Sequence, residues 1–206
     1  GFSVGDANGI LNSFKTVRSS TRIAWKPVDN EAVDSEIMNP DLVRNLDEYG
    51  SHWRSRFRKT WNYSSQTKVR RFRGLMKRVG LIDRERLAVF DQGFGLGLML
   101  FCFPPSSRLA GVELSETAID GAAAAAKRLG YKEVDFRKFE PSAMYPDSWR
   151  GSFDVVISSH VLEHIAEPGG ALRDLIGLMR PDGVACLVVP INETPGQDLN
   201  HFYWFT

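Results

Sequence analysis

Apolar and polar positions change rhythm several times along the chain, and each change marks an element. Residues 1–40 show little apolar periodicity, are rich in Asn, Ser and Asp, and contain Pro27 and Pro40, which predicts an extended arm with little regular structure. From Asp41 the spacing of Leu42, Val43, Leu46 and Tyr49 is helical, and a second helix is expected over 65–79 before Gly80. Together these make a helical cap over 41–84. Leu87-Ala88-Val89-Phe90 is a short, continuous apolar run of the kind buried on both faces of a parallel sheet.

After it, strand and helix alternate. Further strands are expected at 109–112, 134–138, 153–157 and 184–189, and helices at 118–129 and 171–179, with a turn at Pro181-Asp182-Gly183. Strict alternation implies parallel strands joined by right-handed crossovers, an α/β core over 85–206. That core stops after its fifth strand, which reads as a sheet cut short.

Composition adds bounds. The chain has 206 residues, 43% hydrophobic and 25% charged, enough for one sizeable core. Its 26 Lys and Arg nearly cancel 25 Asp and Glu, so no global charge calls for nucleic acid or an anionic membrane. No apolar run approaches the roughly 18 to 20 residues of a transmembrane helix. The two cysteines, Cys102 and Cys186, lie in apolar stretches without a C-x-x-C pair, which fits a reduced, cytoplasmic setting.

Chemistry concentrates where the first core strand ends. Asp91-Gln92-Gly93-Phe94-Gly95-Leu96-Gly97 places glycines at alternate positions, so the main chain can approach a ligand closely. The N–H groups at the following helix start would face an anionic end of that ligand. A dinucleotide fingerprint, G-x-G-x-x-G, would need its third glycine where Leu98 stands, whereas D-x-G-x-G-x-G fits. Glu113 ends the second core strand. Phe153-Asp154-Val155-Val156-Ile157-Ser158-Ser159-His160-Val161-Leu162-Glu163-His164 and Met179-Arg180-Pro181-Asp182-Gly183 follow in order.

These motifs resemble the class I S-adenosylmethionine-dependent methyltransferases over about 85–206, in particular the small-molecule branch that includes ubiquinone-biosynthesis and polyketide or sugar methyltransferases. The resemblance implies a Rossmann-like, doubly wound, mostly parallel sheet and S-adenosylmethionine as cofactor. It implies cofactor contacts from Asp91, Gly93, Gly95, Gly97, Glu113, Leu114, Phe139, Glu140 and Ser158, with Glu113 on the ribose hydroxyls and Phe139 and Glu140 at the adenine. Phe94, where many relatives carry a small residue or cysteine, departs from the pattern and is expected to narrow the cofactor channel.

Methyl transfer needs an aligned, deprotonated acceptor, and groups able to move a proton near the ends of strands four and five are His160, Glu163, His164, His201 and Tyr203. His160 is the first choice as general base and His201 the second. No metal is expected, since the pair Glu163 and His164 can simply anchor a helix, although His160, Glu163, His164 and His201 are suitable ligands.

Between Ser51 and Ile82 stand ten basic residues and no acidic one, interleaved with Trp53, Phe57, Trp61, Tyr63 and Phe72. The favoured reading is aromatics packed inward and solvated cations, ahead of a phosphate-binding face. The expected function is methylation of a small-molecule acceptor, on oxygen, with a phosphorylated or nucleotide-linked acceptor preferred to RNA. The alternatives are a noncatalytic methyltransferase-like scaffold and an RNA methyltransferase using 51–82.

Overall fold

The computed structural model describes residues 11–18, 63–140, 145–191 and 201. Within these, six strands form one sheet: β1 (Leu11–Arg18), β2 (Ala88–Gln92), β3 (Arg108–Glu113), β4 (Val134–Lys138), β5 (Phe153–Ser159) and β6 (Met179–Ile191), in the order β1-β6-β5-β2-β3-β4. Strands β2 to β6 run parallel, as the alternation predicts, and β1 pairs antiparallel with β6. Among the described residues the α-helices are α1 (Tyr63–Arg78), α2 (Glu116–Leu129) and α3 (Pro168–Gly177).

Alternation within the central strands distributes the helices. Val89, Val155 and Ile157 face Phe72 and Met76 of α1 and Ala122 and Ala126 of α2. Phe90 and Val156, one residue out of phase, face Trp149 and, from α3 and its end, Leu175 and Leu178. Covering both faces makes the sheet doubly wound. Helix α2 is well specified: Ser115 caps it by accepting from the Ala118 N–H at 3.3 Å, and Gly130 ends it with φ 87°.

Three sequence expectations are corrected. The 1–40 arm contains a regular strand, because β6 offers an unpaired edge and Leu11–Arg18 fills it residue by residue. The Pro181-Asp182-Gly183 turn lies inside β6 as an irregularity: Phe153 pairs with Met179 and Val155 with Val184, so β5 advances two residues while β6 advances five. The helix expected at 171–179 is shifted to Pro168–Gly177, since Pro168 suits a first turn and Met179 already joins the sheet. The helix expected from Asp41, along with Trp53, Phe57 and Trp61, lies outside the described residues.

The connections place the site. From β2 the chain moves outward through β3 to β4, then returns to the other side of β2 for β5 and β6. The reversal between β2 and β5 opens a crevice at the carboxyl ends of these strands. The glycine turn leaves β2 there, and His160 follows β5. Among the described residues, no helix is long and apolar enough to cross a membrane.

Candidate cofactor site

The turn after β2 needs its glycines for shape. Gly93 (φ 69°) and Gly97 (φ 72°) lie in the left-handed region, and each is crowded: a Cβ on Gly93 would come within 2.5 Å of Val161 Cγ2, and one on Gly97 within 2.7 Å of the Phe101 ring. The Gly93 N–H donates to the Val112 carbonyl at 2.8 Å, tying the turn to β3.

Glu113 closes the turn from the neighbouring strand. Its Oε2 accepts from the Gly95 N–H at 2.8 Å, and its Oε1 accepts from the Leu114 and Ser115 N–H groups at 2.8 and 3.1 Å. Three backbone donors fix this buried carboxylate and fill three of its roughly four acceptor positions. The remaining acceptor position is on Oε2. Phe139 is held beside it, its N–H donating to the Glu113 carbonyl at 2.8 Å, while the Glu140 side chain is exposed.

Asp91 is only 3% exposed, and its Oδ1 has no hydrogen-bond partner among the described residues. Burial first, and the Glu113 charge second, raise its pKa well above the ordinary carboxylate range. Phe94 stacks on Phe136 with ring centroids 4.5 Å apart and lies over Gly111, where a Cβ would meet Phe94 Cδ1 at 2.6 Å. Its bulk is therefore taken up largely by the sheet face, and it supplies one wall of the crevice.

At the end of β5 the two serines separate. Ser158 is buried and donates to Gln92 Oε1 at 3.1 Å, while Ser159 lines the crevice. His160 adopts φ 55°, unusual for a non-glycine residue and a kind of strain that gathers at functional sites. Its Nδ1 lies 3.2 Å from Oε1 of Glu163, which is 0% exposed. The remaining atoms, His160 Nε2 and Glu163 Oε2, are buried without a partner among the described residues.

His164 and His201 meet edge to face, ring centroids 4.8 Å apart. Together with Glu163 they bring ligand atoms within 4.8 Å of one another, a donor set suited to a divalent cation, and His160 stands outside that group. Tyr203 lies outside the described residues.

An open pocket of about 200 Å³ lies between the turn and α1, bordered by Lys68, Val69, Asp91, Gly93, Leu98 and Ser159 among others. Lys68, Val69 and Ser159 were not among the residues expected from the sequence. The signal for Lys68 is its spacing of four from Phe72 and eight from Met76, which puts it on the buried face of α1. Arg70, Arg73, Lys77 and Arg78 are exposed on the same helix while Phe72 is in the core, the arrangement of an ordinary amphipathic helix.

A glycine turn at the switch point, an acid fixed at the neighbouring strand tip and a strained histidine after β5 coincide with a known pattern. Residues 90–187 match a family described as a methyltransferase domain. The chain is thus similar to methyltransferases over slightly less than half of its length. Among curated proteins, it is 32% identical over 114 residues to a ubiquinone biosynthesis O-methyltransferase of Caulobacter vibrioides, covering 53% of this chain and 43% of that protein. It is 30% identical over 122 residues to an uncharacterized methyltransferase of Schizosaccharomyces pombe, covering 54% and 41%. The chain thus spans less than half the length of these relatives. Among solved structures, the domain is similar to the [4+2]-cyclase SpnF, with TM-score 0.53 and 23% identity over 65% of this chain and 49% of that one. It is also similar to coclaurine N-methyltransferase, with TM-score 0.50 and 15% identity over 60% and 35%. These two likenesses concern the fold alone, since one neighbour is a cyclase and the other a methyltransferase.

Proposed function

We propose that this domain binds S-adenosylmethionine and transfers its methyl group to an oxygen of a small-molecule acceptor. The observation that carries the reading is Glu113, held at the tip of β3 by three backbone donors, one of them from the glycine turn itself. A carboxylate fixed in that way beside the switch point suits a ribose hydroxyl, which its open Oε2 position can accept. Phe139 at the tip of β4 offers a ring to the adenine. When bound, the cofactor supplies a methyl carbon already activated by its sulfonium.

The protein's own task is then proton management and alignment. With His160 as the Nδ1–H tautomer, Glu163 accepts its hydrogen bond and Nε2 is left to take an acceptor hydroxyl's proton. This pairing favours His160 over His201 as the base. Methylation on oxygen accords with the relatives named as O-methyltransferases at 32% identity and remains a matter of the acceptor's chemistry. A reducing, cytoplasmic setting accords with the buried free thiols of Cys102 and Cys186, pushed up by desolvation to about 11 and about 12.

The test is transfer of label from methyl-labelled S-adenosylmethionine to a panel of phenols, catechols and hydroxylated phosphate esters. His160→Ala is expected to lower turnover at least about a hundredfold while S-adenosylhomocysteine affinity stays within about twofold of wild type. Turnover unchanged in His160→Ala would remove the base role. A noncatalytic scaffold would bind the cofactor and transfer label to nothing on the panel.

A further inference from the structure

The outward face of α1 holds a glycine that nothing in the domain explains. Gly74 lies in the helix interior and is exposed, and a Cβ built there meets nothing within 4 Å among the described residues. Its φ is not left-handed, so the backbone does not select glycine either. Glycine in a helix interior is less favourable than alanine. Amphipathicity accounts for charged side chains on this face and not for a missing one.

Cations surround the bare position. Residues three and four apart are neighbours on a helix surface, which puts Arg70, Arg71, Lys77 and Arg78 around Gly74, with Arg73 next to it in sequence. Arg70, Arg73, Lys77 and Arg78 are exposed, and among the described residues none of these cations takes part in an ion pair. Helix α1 contains no acidic residue. Ten of the chain's 26 basic residues and none of its 25 acidic ones lie between Ser51 and Ile82, so the charge of this face is open to an outside partner. From Arg70 to Arg78 the helix rises about 12 Å, more than one phosphate group spans, so a matching partner carries several anions in a row.

We propose that this face docks the phosphate backbone of a single-stranded nucleic acid, the strand crossing Gly74 with the four exposed cations on its phosphates. A bare patch of helix ringed by cations lets a phosphate come close to the main chain and be met from several sides. Two other polyanions fit less well. A bilayer is held by the apolar face of an amphipathic helix, and that face of α1 is closed in the core, with Phe72 and Met76 0% exposed. An acidic polypeptide carries its carboxylates on flexible side chains, which reach cations without a gap at the helix surface. Among the described side chains of α1 the aromatic one, Phe72, is buried, which leaves phosphates rather than bases as the contact. Lys68 and Val69 of the same helix border the crevice, so a strand on the outer face lies within about one helix diameter, roughly 10–12 Å, of the cofactor site. The docking face does not depend on the cofactor reading above.

Fluorescence anisotropy of a labelled oligouridylate, titrated with the full chain at several salt concentrations, is the test. Four phosphate contacts predict that the logarithm of the affinity falls with the logarithm of salt concentration at a slope of about −3. Arg70→Gln and Lys77→Gln together are expected to weaken binding at least about tenfold in about 0.1 M salt and to flatten the slope to about −1.5. Gly74→Leu is expected to move binding and stability apart. Strand affinity falls about tenfold, while the thermal midpoint equals or exceeds that of wild type, because leucine is the better helix former and has open space there. That contrast separates a lost contact from a lost fold. Absence of binding, an affinity or slope unchanged by the double substitution, wild-type binding by Gly74→Leu, or equal affinity for polyglutamate or for phosphatidylserine vesicles overturns the proposal.

Discussion

Asp91 shows what a single buried acid costs. Its folded-state pKa is raised above the ordinary 3.8, so the folded chain holds this proton more tightly than the unfolded chain does. Stability therefore falls as pH rises from 3.8 toward the folded value, and the loss persists above it. Asn at this position has the same shape and no proton to lose. Asp91→Asn is expected to melt at a higher temperature than wild type at pH 8, with the gap closing toward pH 4. Thermal melts across that range check it, and a constant gap, or a less stable variant at pH 8, would show that Asp91 carries no desolvation penalty. The sequence identified Asp91, Glu113 and His160 by their places after strands. It did not reveal that Glu113 already accepts three backbone N–H groups or that Glu163 orients His160, because both depend on contacts made only once the loops are folded.

At the level of elements, the turn and α2 were readable because their signals are local. Glycine at Gly93, Gly95 and Gly97, the Ser115 cap and Gly130 all act within a few residues of themselves. Gly97→Ala would force φ 72° on a residue with a Cβ and drive that Cβ to 2.7 Å from the Phe101 ring. A loss of about 1–3 kcal/mol in denaturant unfolding is expected. An unchanged midpoint would mean the turn can reshape without cost. The β6 irregularity and the strand Leu11–Arg18 were not readable, since one depends on register against β5 and the other on an edge formed by residues far along the chain.

For the molecule as a whole, strand order matters more than any motif. The reversal between β2 and β5 brings the glycine turn, the tip of β3 and the start of the post-β5 loop to one crevice, and α1 adds Lys68 from ahead of β2. Alternating strands and helices announced the parallel core. They could not announce Lys68, whose place in the crevice follows from how α1 lies across the sheet. The same geometry makes Glu113 part of the fold, since removing its carboxylate frees three backbone donors.

Titration of the full chain with S-adenosylhomocysteine, wild type beside Glu113→Ala, tests the cofactor site most directly. One-to-one binding by wild type, weakened at least about tenfold in Glu113→Ala, is the predicted result. A folded wild-type chain that does not bind, or binds with an affinity indifferent to Glu113, would contradict it.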